Sequence, residues 1–216
     1  MSGRDAAARV LDFATLGLPA SQREWGRAMR AELSAIENTG ERRRFAAGGL
    51  RVTALTSVGG QLVVAALIGI LVAALTMLTS RHQLGDPSAV GVVTTTVPIP
   101  ALLLAMLALA AAALARSFAV GARAGLIGGV ACLIAVSTVL AFEGAAWMEL
   151  RGRFPLDADP PLARVGQAEV ALDIFVTGMW IGHAILWLIA IVLAAGLGAG
   201  LARLHSSQVR TAGSAR

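Results

Sequence analysis

Residues 53–79 read TALTSVGGQLVVAALIGILVAALTMLT, and this stretch decides the fold. It carries no charge, and its only strongly polar side chain is Gln61. A helix of about 20 apolar residues crosses the hydrocarbon core of a bilayer, and in lipid the backbone polar groups must be satisfied inside the segment. We therefore predict a membrane-spanning helix over residues 53–79.

Three more apolar segments follow, at residues 97–115, 122–142 and 174–202. The chain is 56% hydrophobic and 14% charged, which differs from a soluble protein in the direction of a membrane protein. We predict an all-α integral membrane protein, a four-transmembrane-helix bundle over residues 53–202. A cytoplasmic helical segment at 1–52 precedes the bundle, a cytoplasmic tail at 203–216 follows it, and residues 143–173 form the outer loop.

The basic residues are unevenly distributed along the chain. All 18 are arginines, and most lie before the first span, between the second and third spans, or after the fourth. Loops rich in arginine stay in the cytoplasm, which predicts that both termini are cytoplasmic, as an even number of spans requires. The net charge of +5 then reflects topology and contact with the lipid bilayer, so we expect no nucleic-acid partner. The arginine-only, alanine- and glycine-rich composition suggests a bacterium, and hence its inner membrane.

One amphipathic helix is predicted in the cytoplasmic segment. It begins with the capping-box pattern of Ser21 and Glu24, and its apolar residues recur every three or four positions, at Trp25, Met29, Leu33 and Ile36. Three arrangements fit this pattern. The helix lies on the inner leaflet, or docks a cytoplasmic protein partner, or packs against the cytoplasmic ends of its own spans.

The same stretch carries a family resemblance. LPASQREWGRAMRAEL, residues 18–33, contains the matching positions Leu18, Pro19, Arg23, Trp25, Ala28, Met29, Ala31, Glu32 and Leu33. It resembles the helical signalling segment, of the HTH-associated α-helical signalling type, that precedes membrane spans in many bacterial proteins, including small multi-span proteins of actinobacteria. The resemblance implies a regulatory or transport-associated role, in some cases with a transcription regulator as the partner.

Small residues mark candidate packing faces on the third and fourth spans, because helices in lipid associate by close approach. The third span has Gly121, Gly125 and Gly129 at intervals of four, and the fourth has Gly196 and Gly200. We expect these rows to pack within the bundle. The alternative is a contact between two copies in a homo-oligomer.

Ionisable groups within spans are costly and indicate function. His183 lies about 15 Å along the fourth span, at 1.5 Å per residue, on the same face as Asp173 and Trp180, and Glu143 and Trp147 close the third span one turn apart. These five residues predict an outward-facing cavity for a cation, a proton or a small cationic ligand.

A structural role for the same residues is the alternative. His183 then hydrogen-bonds Ser137, Thr138 or Gln61, while Trp147 and Trp180 sit at the membrane interface. No metal-ligand spacing such as HExxH and no nucleophile motif occurs in the chain. We therefore expect no metal, no cofactor and no catalytic residue.

Two functional hypotheses follow. The first is a non-enzymatic inner-membrane protein that couples its bundle to a cytoplasmic partner, such as a regulator or a transporter subunit, through the helix of Trp25, Met29, Leu33 and Ile36. The second is a small transporter or permease component that moves a small solute or ion, in an oligomeric assembly.

Overall fold

The computed structural model describes residues 8–9, 11–12, 23–85, 92–151 and 181–214. These residues are about 95% helical and contain no strand. In chain order the helices are α1 (Arg23–Ala35), α2 (Thr39–Thr56), α3 (Val58–Gly85), α4 (Val92–Thr96), α5 (Pro98–Ala115), α6 (Phe118–Arg151) and α7 (Ala184–Ser214). The predictions at Leu18, Pro19, Ser21, Asp173 and Trp180 lie outside the described residues, as does most of the predicted outer loop.

Four helical segments are long and apolar enough to cross a membrane: Val58–Gly85, Pro98–Ala115, Phe118–Gly144 and Ile181–Leu204. Their outward-facing side chains are apolar, and some are highly exposed, with Ile70 at 67% and Phe142 at 79%. A continuous apolar surface of this extent is stable in lipid but not in water. The prediction of an all-α, four-helix membrane bundle is therefore confirmed.

The first spanning helix begins at Val58, whereas the sequence pattern suggested residue 53, because the chain breaks at Ser57. Ser57 has extended backbone angles (φ −83°, ψ 149°), and its hydroxyl accepts a hydrogen bond from the Gly60 amide at 3.0 Å. A serine in this position caps the start of a helix. A Cβ on Gly60 would lie 2.5 Å from the Cα of Ala54, so only glycine allows this approach of α3 to α2. Gln61 supports the break by donating to the Leu55 carbonyl at 2.8 Å.

The chain divides into two compact units, Met1–Val64 and Ala65–Arg216, which we call the N-terminal unit and the membrane unit. The N-terminal unit has its own apolar core of Leu11, Met29, Leu33 and Ala46. The buried Arg42 of α2 donates from Nη1 to the carbonyls of Leu33 and Ile36. A guanidinium satisfies the last carbonyls of a helix in this position, so Arg42 caps α1.

In the membrane unit, α5, α6 and α7 pack on one another, and small residues allow this packing. A Cβ on Gly121 of α6 would lie 2.5 Å from the Ala108 carbonyl oxygen of α5. A Cβ on Gly125 would meet Ile191 of α7 at 2.5 Å, and one on Gly129 would meet the same residue at 3.8 Å. The glycine row predicted on the third span therefore packs inside the bundle, most tightly at Gly121 and Gly125.

The packing row of the fourth span differs from the prediction. A Cβ on Gly196 or on Gly200 would meet no described atom within 4 Å, whereas one on Gly198 would lie 2.4 Å from the Leu109 carbonyl oxygen of α5. Positions two apart point about 160° apart on a helix with 3.6 residues per turn. The row through Gly198 therefore packs on α5, and the row through Gly196 and Gly200 points away from it.

Candidate functional site

An ion pair with a buried carboxylate lies where α3 and α6 end, and we call this the distal end of the bundle. Glu143 of α6 has a side chain that is 3% exposed, whereas the side chain of its partner, Arg81 of α3, is 55% exposed. The Arg81 Nε lies 2.8 Å from Oε2 and 3.0 Å from Oε1 of Glu143. A buried carboxylate is costly without a counter-ion, and Arg81 supplies one to Glu143.

Two further side chains complete the pair. The Ser80 hydroxyl donates to Oε2 of Glu143 at 3.3 Å and accepts from Nε1 of Trp147 at 2.8 Å. Trp147 is 1% exposed, so it is a core residue and not a residue of the membrane interface. We call Ser80, Arg81, Glu143 and Trp147 the distal network. In it, α6 contributes a carboxylate and an indole N–H, and α3 contributes a hydroxyl and a guanidinium.

The distal network is the main polar contact between α3 and the rest of the membrane unit. Nearer the middle of the span, Gly69 of α3 approaches α6 closely, since a Cβ there would lie 3.3 Å from the Ala131 carbonyl oxygen. Among the four spanning windows, that of α3 has the smallest buried share. The helix is held by this approach, by the distal network, by the packing of Ile68, Val72 and Leu84 in the core, and by Gln83, which accepts from the Val92 amide at 2.9 Å.

His183 belongs to a second polar group at the same end of the bundle, where α5 and α7 begin. Its Nε2 lies 3.3 Å from the Thr96 hydroxyl, which donates to the Val92 carbonyl at 3.0 Å. In the tautomer that carries a proton on Nε2, the imidazole donates to the Thr96 oxygen. The imidazole also packs edge-on against Trp187, with the ring centroids 6.0 Å apart.

The His183 group surrounds a break between two helices. α4 ends at Thr96, α5 starts at Pro98, and Nε1 of Trp187 donates to the carbonyl of the intervening Val97 at 3.1 Å. His183 itself lies in a π-helical turn at residues 181–183. Broken helices and π turns occur at functional sites of membrane proteins, because they free backbone groups for other partners.

The structure brings together some of the predicted site residues. Glu143 and Trp147 share the distal network, while His183 contacts Thr96 and Trp187. The alternative partners predicted for His183 were Ser137, Thr138 and Gln61, and the hydrogen bond is instead made by Thr96, because α4 and α7 meet at the helix break. Asp173 and Trp180 lie outside the described residues.

Sequence reasoning missed Ser80, Arg81 and Thr96. Arg81 carried a usable signal, because it is a charge placed directly after an apolar run. Ser80 and Thr96 carried none, since short hydroxyl side chains are common in spans and donate to their own helix.

The predicted partner-binding helix is partly covered by its own unit. Met29 and Leu33 are 9% and 2% exposed and lie in the core of the N-terminal unit, whereas Trp25 is 40% exposed and Ile36 is half-buried. A partner bound at α1 would therefore contact Trp25 first.

Within the residues that the structure describes, no three His, Cys, Asp or Glu side chains are grouped closely enough to hold a metal ion. Two buried hydroxyls there, Thr76 and Ser137, lack a hydrogen-bond partner. Both lie within spanning segments, so the interior of the bundle contains hydroxyl groups that can still form hydrogen bonds.

Comparison with known proteins adds no assignment: no protein-family model, no curated protein and no solved structure matches this chain. The resemblance to helical signalling segments thus stays a prediction.

Proposed function

We propose that this chain is a non-enzymatic bacterial inner-membrane protein that couples its membrane bundle to a cytoplasmic partner, with both termini in the cytoplasm. The observation that carries the proposal is the continuity of α3. This single helix begins at the Ser57 break and ends in the distal network. In this proposal, the helix transmits a shift at one end to the other.

The small buried share of α3 supports the same proposal. Allosteric helices shift by about 1–2 Å against their neighbours. Such a shift of α3 would break the hydrogen bonds of Ser80 and Arg81 to Glu143, and Val72 and Leu84 would slide along the core that they share with α5, α6 and α7. A ligand or a voltage change that acts on Glu143 would thereby reach the Ser57 break.

The partner is proposed to bind at Trp25. Tryptophan is enriched among the residues that dominate binding energy at protein interfaces. Trp25 is exposed near the start of α1, on the same side of the helix as Met29 and Leu33, which are buried in the core of the N-terminal unit. The partner class suggested by the family resemblance is a transcription regulator or a transporter subunit.

Affinity purification of the full chain in mild detergent tests this proposal. Trp25→Ala is compared with Leu50→Ala, because both side chains are 40% exposed in the N-terminal unit. We expect a cytoplasmic protein to co-purify with the wild type and with Leu50→Ala, and to be lost with Trp25→Ala. Recovery of copies of the chain alone from the wild type would contradict partner coupling.

Transport of a small solute or ion is a second candidate, favoured by the buried charge of Glu143 and by the His183 group at a helix break. Buried ionisable groups line transport pathways in membrane proteins. Flux into proteoliposomes is then lost in Glu143→Gln and His183→Ala and kept in Trp25→Ala. Equal flux in all three variants would exclude the transport candidate.

A further inference from the structure

The two faces of α2 differ sharply. The face of Arg42, Ala46, Gly49 and Thr53 is buried in the N-terminal unit. The opposite face is exposed and consists of Arg44, Ala47, Gly48 and Arg51. We call this the arginine face, and it combines two long cationic side chains with two residues that present almost no side chain.

The geometry of the arginine face suits a flat, negatively charged surface. Arg44 and Arg51 are seven residues apart, which is about 10 Å along the helix. Gly48 lies between them, and a Cβ there would meet no atom of the described residues within 4 Å, so a headgroup can approach the backbone. Neither arginine forms an ion pair with another described residue, unlike Arg27 and Arg30 of α1, which pair with Glu24 and Asp12.

The position of α2 in the chain indicates the source of the negative charge. The last turn of α2 is separated from the first spanning helix only by Ser57, whose extended backbone breaks the helix. The arginine face therefore belongs to a basic segment that is joined directly to a span. Guanidinium groups bind phosphate in a bidentate manner, and anionic lipids attract basic segments next to spans.

We propose that the arginine face of α2 binds the phosphate groups of anionic phospholipids in the adjacent leaflet. Arg44 and Arg51 contact the headgroups, and Gly48 provides the space for them. This inference needs no cytoplasmic partner and stands whether or not the proposed function is correct.

Binding of fluorescent phosphatidylglycerol to the full chain in mixed micelles tests the inference, with unlabelled phosphatidylcholine and inorganic phosphate as competitors. We expect Arg44→Gln/Arg51→Gln to weaken binding roughly 25-fold, at about fivefold for each arginine, and Arg44→Lys/Arg51→Lys to keep most of it. Raising the salt concentration weakens wild-type binding, while phosphatidylcholine and free phosphate do not displace the labelled lipid.

The matched control is Arg23→Gln/Arg27→Gln, which removes the same charge from exposed positions of α1. We expect it to change binding by less than about twofold, since exposed charges contribute little away from the contact. Three results would overturn the inference. Arg44→Gln/Arg51→Gln still binds the lipid, the control variant loses as much binding, or Arg44→Gln/Arg51→Gln loses a co-purifying protein while its lipid binding is unchanged.

Discussion

The contact between α3 and α6 is measured by a double-mutant cycle on Arg81 and Glu143. The structure predicts that the two single substitutions have unequal effects, because the Glu143 side chain is 3% exposed and that of Arg81 is 55% exposed. Arg81→Gln leaves a carboxylate buried without a counter-ion. Glu143→Gln leaves a guanidinium that water or lipid headgroups still reach.

The expected magnitudes follow from this asymmetry. Removing one partner of a buried ion pair costs about 3–5 kcal/mol, and the exposure of Arg81 places Arg81→Gln near 3 kcal/mol. Glu143→Gln keeps a neutral acceptor for Ser80, so it costs about 1 kcal/mol, the difference between a charged and a neutral hydrogen bond. The double variant, which leaves neither charge unpaired, should cost about 2 kcal/mol. Because the costs of the two single variants sum to about 4 kcal/mol, the coupling energy is about 2 kcal/mol.

Cys132 provides the assay. It is the only cysteine of the chain and is fully buried, so its labelling by a maleimide in detergent reports opening of the bundle. The control cycle uses Arg27 and Glu24 of the N-terminal unit, whose side chains are 70% and 89% exposed. It is measured by hydrogen exchange in α1, because Cys132 reports only on the membrane unit, and its coupling should be below about 0.5 kcal/mol. The reasoning fails if Arg81→Gln costs no more than Glu143→Gln, or if the two cycles give the same coupling.

Three further predictions concern stability; the first two are measured by the same labelling and the third by hydrogen exchange. Gly198→Ala should destabilise the bundle by about 1–3 kcal/mol, because its Cβ would overlap the backbone of α5. Gly200→Ala should be neutral or stabilising. Equal effects of the two substitutions would contradict the packing of the Gly198 row on α5. Arg116→Gly should stabilise the bundle by about 1 kcal/mol, because Arg116 joins α5 to α6 in the left-handed conformation, with a φ of 52°, which glycine adopts more easily. A destabilised Arg116→Gly variant would contradict this account of the turn. Ser57→Ala should cost about 1 kcal/mol through loss of the cap of α3, and no change in exchange of the Gly60 amide would contradict the cap.

The four spans are predictable from sequence because lipid imposes one local requirement, an apolar helix of sufficient length. The break at Ser57 lies within an uninterrupted apolar pattern, so hydropathy alone placed the start of the span too early. Serine followed by Gly59 and Gly60 is a signal for a helix start, which hydropathy does not register.

Only the part of the candidate site that lies on α6 could be predicted from the sequence. Glu143 and Trp147 are one turn apart on one helix, so their proximity follows from the helical period. Their partners Ser80 and Arg81 lie more than 60 residues earlier in the chain, and the pairing depends on how far α3 is shifted along α6. That shift is fixed by close approaches such as the one at Gly69, which no local pattern reveals.

The glycine rows show the same limit. Both rows of the fourth span contain small residues, so composition did not distinguish Gly198 from Gly196 and Gly200. The choice depends on the rotation of α7 about its own axis, which the contacts of Ile191 and Trp187 with the rest of the unit help to set.

Hydrogen exchange of the full chain in nanodiscs, compared between the wild type and Glu143→Gln, tests the coupling through α3 most directly. We predict faster exchange at Ser80 and Arg81 and also at Gly60 and Gln61, beside the Ser57 break, with exchange in α5 unchanged. Faster exchange confined to the distal end would contradict the claim that α3 transmits a change at Glu143 to the N-terminal unit.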